Sequence, residues 1–210
     1  MTRFLLGTFA VALVLAAAGA VQAGSTLLPS ISLMASPAAA DAQADGSAAC
    51  AFPQGTWVTP TYLSGTVFSS DHLYELHAGL GYYLWDNLAF NVEGVGTFVD
   101  FGKQAGNPGD AWGAGLDLLF RWHFLQGQNW TVYADAGAGF REFNRQFPTN
   151  GTHFDFTPQA GLGATVHLAS YLDLMGGARY FHLSNAGYDG TEHNPGYNGM
   201  QVYMGVLLTW

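Results

Sequence analysis

The sequence has little charge, few cations and a single cysteine. Charged residues make up 10% of the 210 residues, against roughly 25% in an average soluble domain. Lys and Arg number 6 against 15 Asp and Glu, for a net charge of -9, which disfavours binding to the phosphates of nucleic acid. Cys50 alone excludes an internal disulfide and a cysteine-based zinc site. We interpret it as part of a plain tail, with lipidation after Ser-Ala-Ala as the alternative.

Long apolar runs are also missing beyond the first two dozen residues. A membrane-spanning helix needs about 18 or more consecutive apolar residues, so a helical bundle in the membrane is disfavoured. Apolar residues nevertheless form 49% of the chain, aromatic residues form 15%, and there are 28 glycines. Apolar content spread over many short segments is typical of strands, and aromatic residues are abundant in membrane barrels.

The N-terminus has the three parts of an export signal. Arg3 precedes an apolar stretch from Phe4 to Val21, and Val21-Gln22-Ala23 forms a site of small residues suited to cleavage. We expect residues 1–23 to be removed, with a single membrane anchor as the alternative. Residues 24–53 are rich in Ala, Ser, Pro and Asp without periodicity, which predicts a flexible lead, with a start placed upstream of the true signal as the alternative. Residues 54–210 are then the folded domain.

Apolar and polar residues alternate with a period of two from Gln54 onward. The clearest example runs from Asp71 to Leu84, where the even positions are apolar and the odd positions are polar or small. The pattern recurs at 88–98, 112–124, 130–141, 154–168, 171–184 and 201–210, and more weakly at 56–68. It predicts an all-β fold, an eight-stranded antiparallel transmembrane β-barrel whose even positions face lipid. A soluble sandwich would carry more Lys and Glu on its polar face.

The breaks between these segments predict the orientation of the barrel. Short breaks at 85–87, 126–129 and 169–170 alternate with longer ones at 101–110, 142–152 and 186–198. Outer-membrane barrels have short periplasmic turns and longer external loops. We therefore expect a multi-pass protein of the bacterial outer membrane with both ends of the barrel in the periplasm. The C-terminal Trp210 is typical of such barrels.

The odd positions are expected to fill the lumen. Three histidines, His77, His123 and His167, fall on this face without a short ligand spacing, so hydrogen bonding is favoured over metal ligation. No metal and no other cofactor is expected. A network of charged side chains should rigidify the lumen, which disfavours a channel; its members are Glu75, Glu93, Asp117, Arg121, Asp135, Asp173 and Arg179.

Two polar residues lie on the even side, where the pattern otherwise places apolar residues that face lipid. His182 and Ser184 lie two apart near the outer end of the seventh predicted strand, where burial of polar groups in lipid costs least. Asn198 on the eighth strand has the same parity, so the three can form one cluster if the register allows it. His182 could then act as general base for Ser184, with Asn198 orienting the imidazole. Asn185 and the backbone near Gly187 are the nearest candidate donors to an oxyanion.

The stretch from His182 to Gly187, with Asn194-Pro-Gly196 after it, resembles the lipid A 3-O-deacylase family of the outer membrane (PagL type, acyloxyacyl-hydrolase-like). The resemblance implies an esterase that removes the ester-linked 3-O acyl chain from lipid A of lipopolysaccharide without a metal. It implies that Ser184 is the nucleophile and His182 the base, with Asn185 and the Gly187 amide at the oxyanion. Expected partners are lipopolysaccharide and outer-membrane lipid, and further a second copy of the chain in a homodimer.

One position departs from the family pattern. The family has a glutamate two residues after the Asn-x-Gly turn, where this chain has Asn198. Three alternatives remain: Asn198 orients the histidine, a loop acid (Asp189 or Glu192) takes the role, or activity is reduced. The alternative function is a structural or adhesive barrel without enzymatic activity, in which the cluster is vestigial.

Overall fold

The structure is a computed structural model that describes residues 51–69, 71–102 and 109–210. The predicted export signal and most of the predicted lead lie outside the described residues. Within the described residues, no helix is long and apolar enough to cross a membrane. Nearly all of this part of the chain forms strands, as the period-two alternation predicts.

The strands form a closed antiparallel barrel. β1 pairs with β9, which joins the two edges of the sheet. The segments β6 and β7 both pair with β5, so they are two parts of one barrel strand and the barrel has eight strands in all. The break between them contains Pro158, which has no N–H for strand pairing. This confirms the predicted eight-stranded fold. The strands are β1 (Trp57–Val67), β2 (His72–Trp85), β3 (Leu88–Asp100), β4 (Ala111–Gln126), β5 (Trp130–Phe143), β6 (Phe154–Phe156), β7 (Gln159–Ala169), β8 (Leu172–Leu183) and β9 (Tyr197–Thr209).

The two faces of the barrel wall are chemically distinct. On β2, Leu76 and Leu80 point outward and are half exposed, whereas Glu75 and His77, on either side of Leu76, are buried in the lumen. The same alternation holds on β2 to β9, where the even positions present Leu, Phe, Tyr and Trp on the outside. On β1 the parity is reversed, with Leu63 exposed and the even positions buried, so the expectation that even positions face lipid is wrong for this strand. Closure pairs the backbone groups of every strand and leaves no open edge to face lipid.

The lumen is packed in three layers. An apolar cluster occupies the end that carries the short turns, and it consists of Phe52, Val58, Tyr62, Tyr83, Ala89, Tyr133, Met175, Tyr203 and Leu207. A second cluster occupies the other end and consists of Leu73, Val99, Phe101, Ala111, Phe143, Phe147, Phe181, Leu183 and Tyr197. Charged side chains lie between the two clusters. This arrangement leaves the charged layer shielded at both ends.

The charged layer is built around three buried arginines. Arg141 donates to both carboxylate oxygens of Asp117 at 2.8 and 2.9 Å and to Glu75 at 2.9 Å. Arg179 and Arg121 both contact Asp135, at 2.8 and 3.2 Å. Because buried charges are tolerated only when they are paired, these bonds are what allows polar residues to fill so narrow a barrel.

Phe52, a residue of the predicted flexible lead, packs against the barrel. Its ring stacks on Tyr83 with 4.9 Å between centroids, and its backbone exchanges two hydrogen bonds with Asn87. The packed part of the chain therefore begins before Gln54.

The connections fall into two classes. Turns of two or three residues join β2 to β3, β4 to β5 and β7 to β8 at one end of the barrel. The connections from β3 to β4, β5 to β6 and β8 to β9 are longer and lie at the opposite end. The last of these, residues 184–196, contains a short 3-10 turn at Thr191–His193 and frames the polar cluster.

Candidate active site on the outer wall

The candidate site lies where β8 ends on the outside of the barrel. Ser184 follows the last residue of β8 and is held by backbone pairing with Phe156 of β6. The Phe156 amide donates to the Ser184 carbonyl at 2.7 Å, and the Ser184 amide donates back at 3.2 Å. Because pairing continues to this point, the backbone of the candidate nucleophile is fixed by the sheet rather than by the loop.

His182 faces Asn198 directly across the β8–β9 pair. The distance from His182 Nδ1 to Asn198 Oδ1 is 2.9 Å. An amide oxygen only accepts hydrogen bonds, so with Oδ1 turned toward the ring this bond favours the neutral tautomer that has its proton on Nδ1 and its lone pair on Nε2. This is the tautomer that a general base needs when it faces a serine.

Tyr180 is a member of this cluster that the sequence did not reveal. Its hydroxyl donates to Asn198 Oδ1 at 2.7 Å, so the same amide oxygen accepts from both Tyr180 and His182. Tyr180 is two residues before His182 on β8 and shares its outward face. The parity of its position could have placed it near the cluster, but an outward tyrosine is equally typical of a lipid-facing girdle.

Ser184 and His182 share the outward face, but no hydrogen bond joins Ser184 Oγ to the imidazole in the described part of the chain. Gly196 lies close to the ring of His182: a Cβ added there would be 3.2 Å from His182 Cε1. Gly196 also has a φ of +65°, a conformation that glycine adopts at little cost. The glycine thus lets the loop turn closely against the imidazole.

The two predicted oxyanion residues are bonded to each other. The Gly187 amide donates to Asn185 Oδ1 at 2.7 Å, and Asn185 Nδ2 donates to the His193 carbonyl at 3.0 Å. The Asn185 amide donates to Asn194 Oδ1, also at 3.0 Å. The buried Asn185 therefore pins the loop beside Ser184, and the donors expected for an oxyanion are engaged inside that loop.

The two loop acids do not reach the histidine. Asp189 and Glu192 are exposed, and Asp189 Oδ2 lies 3.9 Å from His193 Nδ1. Within the described residues, neither acid contacts His182. Of the three candidates for the third role, Asn198 is the one that contacts His182.

An aromatic surface borders Ser184 on the side of β6. Phe154 stacks on Phe140 at 5.6 Å between centroids and meets Phe156 edge-on at 5.2 Å. Tyr188 of the loop lies edge-on to Phe154 at 6.2 Å. Since Phe156 is paired with Ser184, this apolar surface begins directly beside the candidate nucleophile.

The three histidines expected in the lumen are separate from the candidate site and from one another; His77 and His123 are buried, whereas His167 is exposed, contrary to the expectation. His123 bonds Tyr83 at 3.0 Å and Thr131 at 2.6 Å, whereas His167 lies 3.3 Å from Asp173. His77 contacts Ser64 Oγ at 3.3 Å.

Among the described residues, one buried group has the composition of a metal-ligand set. The ligand atoms of His77, Glu93 and Asp117 lie within 4.8 Å of one another. Asp117 is already held by two bonds from Arg141, and Glu93 accepts from the Tyr62 hydroxyl. These carboxylates thus have partners from the protein itself.

Comparison with known proteins identifies both the family and the fold. A family model described as Lipid A 3-O-deacylase (PagL) matches residues 72–206. The crystal structure of the outer membrane enzyme PagL is 18% identical with a TM-score of 0.54, covering 70% of this chain and 97% of that chain.

Two further barrels are similar at lower scores. The N-terminal β-barrel domain of Pseudomonas aeruginosa OprF is 14% identical with a TM-score of 0.47, covering 75% of this chain and 98% of that chain. Neisserial surface protein A is 13% identical with a TM-score of 0.48, covering 73% and 93%. No curated protein matches the chain.

Proposed function

Because the chain belongs to the lipid A 3-O-deacylase family and folds as an outer-membrane barrel, we propose that it hydrolyses the 3-O acyl ester of lipid A with Ser184 as nucleophile and His182 as general base. The observation that carries this proposal is the bond from His182 Nδ1 to Asn198 Oδ1 on the outer wall. It favours the neutral tautomer with the lone pair on Nε2, on an imidazole that shares its face with Ser184. A structural barrel has no need for this arrangement on a surface that faces lipid.

The reaction proceeds through an acyl-enzyme. His182 Nε2 takes the proton of Ser184 as Oγ forms a bond to the acyl carbonyl carbon. The tetrahedral intermediate collapses, the bond between that carbon and the sugar oxygen breaks, and His182 returns the proton to the sugar oxygen. A water molecule, deprotonated by His182, then attacks the acyl carbon of the acyl-enzyme. The bond from that carbon to Ser184 Oγ breaks, His182 returns the proton to Oγ, and the fatty acid leaves. Hydrogen bonds of this kind often tighten only when substrate is bound, so the missing Ser184–His182 bond is compatible with the proposal.

In this proposal Asn198 is the third member of the catalytic group, the residue that orients His182. It fixes the imidazole tautomer, but as a neutral amide it stabilises the transient imidazolium less than a carboxylate does. The exposed Asp189 and Glu192 have no contact with His182 in the described residues, which supports Asn198 over a substituting acid. We therefore expect a slower enzyme than one with a carboxylate at position 198.

The oxyanion remains assigned to Asn185 and the Gly187 amide as a proposal. In the structure the Gly187 amide donates to Asn185 Oδ1, so a substrate oxygen has to replace that acceptor. The aromatic surface formed by Phe140, Phe154 and Phe156 supports the assignment of an acyl substrate, because it offers apolar contact next to Ser184. Lipopolysaccharide is accordingly the proposed partner, and the homodimer stays a prediction.

Mass spectrometry of lipid A provides the test. Purified barrel in detergent is incubated with lipopolysaccharide, and lipid A is then released and weighed. We expect the wild-type chain to remove one hydroxyacyl group and Ser184→Ala and His182→Gln to remove none. Ser170→Ala, in the β7–β8 turn at the opposite end of the barrel, is the matched control and should retain activity.

Unchanged lipid A with a folded wild-type barrel would contradict the proposal and favour the structural alternative. Asn198→Glu is then the informative variant, because it restores the residue of the family pattern. Activity that appears only with Asn198→Glu would show that the cluster is vestigial in this chain for want of a carboxylate.

A further inference from the structure

Asn198 differs from a carboxylate in one respect that matters for His182. A carboxylate presents two equivalent oxygens, whereas an amide presents an acceptor at one end and a donor at the other. If the Asn198 amide turned its NH₂ group toward His182, Nδ1 would have to accept, and the proton would move to Nε2. An imidazole with its proton on Nε2 cannot take the proton of Ser184. The orientation of this amide therefore decides whether His182 Nε2 can accept the proton of Ser184.

The Tyr180 hydroxyl contacts the same amide oxygen of Asn198 as His182 does. It lies 2.7 Å from Asn198 Oδ1, and His182 Nδ1 lies 2.9 Å from that atom. A phenol is a stronger donor than acceptor, because the oxygen lone pair is delocalised into the ring. The hydroxyl therefore favours the orientation in which the amide oxygen, rather than the NH₂ group, faces Tyr180 and His182 together. No other side chain in the described part of the chain bonds this oxygen.

We propose that Tyr180 is a positioning residue that sets the tautomer of His182 through the amide of Asn198. Tyr180 acts on the amide and does not touch the reacting atoms. The inference rests on the proposed function for its catalytic meaning, whereas the tautomer itself can be observed without any reaction. A chain with glutamate at position 198 would not need such a residue, since either carboxylate oxygen can accept from Nδ1.

Nitrogen-15 NMR of the imidazole provides the direct test. Protein labelled at histidine nitrogen is refolded in micelles at alkaline pH, and the long-range proton–nitrogen spectrum distinguishes the two neutral tautomers. His182→Gln identifies the His182 signals. We expect the Nδ1–H form in the wild type and, in Tyr180→Phe, a shift of the tautomer ratio toward Nε2–H by about three- to tenfold, the worth of one hydrogen bond.

Tyr74→Phe is the matched control, because Tyr74 is an outward tyrosine on β2, away from the β8–β9 pair. It should leave the His182 tautomer unchanged. A wild-type His182 mainly in the Nε2–H form, or a ratio that Tyr180→Phe does not move, would overturn the inference. The signals of buried His77 and His123 report in the same spectrum whether each variant is folded.

A kinetic cycle separates orientation from packing. In the wild-type background we expect Tyr180→Phe to lower kcat by about three- to tenfold with KM nearly unchanged. In the Asn198→Asp background, where no wrong orientation exists, the loss should be below about twofold. Equal losses in both backgrounds would show that Tyr180 merely packs. A wild-type chain without deacylase activity would refute the proposed function, and the tautomer measurement would still decide the role of Tyr180.

Discussion

Replacing Arg179 with methionine should strongly destabilise the barrel. The guanidinium is buried and donates to both oxygens of Asp135 at 3.3 and 2.8 Å, to Gln159 at 3.0 Å and to the Tyr62 hydroxyl at 3.0 Å. Methionine fills a similar volume but leaves Asp135 with Arg121 alone, 3.2 Å away. Removing one partner of a buried ion pair costs about 3–5 kcal/mol, because the remaining charge is left uncompensated.

The measurement is urea unfolding of the barrel in lipid vesicles, followed by tryptophan fluorescence. With a urea dependence of about 2 kcal/mol per molar, the loss corresponds to a midpoint lower by about 2 M. The double variant Arg179→Met, Asp135→Asn removes both charges and should be more stable than Arg179→Met alone, because it leaves less uncompensated charge. A midpoint shift below about 0.5 M for the single variant, or a double variant less stable than the single one, would refute this account of the charged layer.

Two further predictions concern the loop between β8 and β9 and the end of the lumen that carries the short turns. Gly196→Ala should reduce deacylation by about ten- to a hundredfold, because its Cβ would press on His182 at 3.2 Å. Gly190→Ala also places alanine at a positive φ, but the nearest atoms to its Cβ would belong to the flexible Glu192 side chain rather than to His182, so this control should lose much less in the same lipid A assay. Phe52→Ala should lower the free energy of unfolding by about 3 kcal/mol, whereas the fully exposed Phe68 should tolerate alanine within about 0.5 kcal/mol in the same urea titration.

The barrel and its two faces could be predicted from the sequence because strand periodicity leaves little freedom. A slip of one residue would exchange lipid-facing leucines for lumen carboxylates, so parity assigns the sides of residues within a strand. The exception to the predicted parity is β1, whose alternation was the weakest and whose odd positions face outward. The interruption at Pro158 was not predicted, although the proline itself was a sufficient signal. It is the place where β6 leaves β7 and where Phe156 becomes free to pair with Ser184.

The details of the site depend on contacts that parity does not specify. The sequence places His182 and Asn198 on one face, but whether they stand directly opposite depends on the path of the loop between β8 and β9. Tyr180 looked like a lipid-facing aromatic residue, because nothing in the pattern shows what its hydroxyl reaches. The bond between Asn185 and the Gly187 amide had a local signal, since asparagine commonly accepts from the amide two residues later. The packing of Phe52 was not predicted, because the segment before it is rich in Ala, Ser, Pro and Asp and therefore predicts a flexible lead.

For Ser184 as the proposed nucleophile, the outward position has a consequence for how the reaction is saturated with substrate. A nucleophile on the outer wall, beside Phe156 and away from the packed lumen, meets only molecules that share its lipid layer. Its substrate therefore arrives by lateral diffusion in two dimensions, and the relevant concentration is a mole fraction among neighbouring lipids. Diluting the surface with inert lipid at constant bulk lipopolysaccharide should slow the reaction, whereas diluting the whole suspension should not.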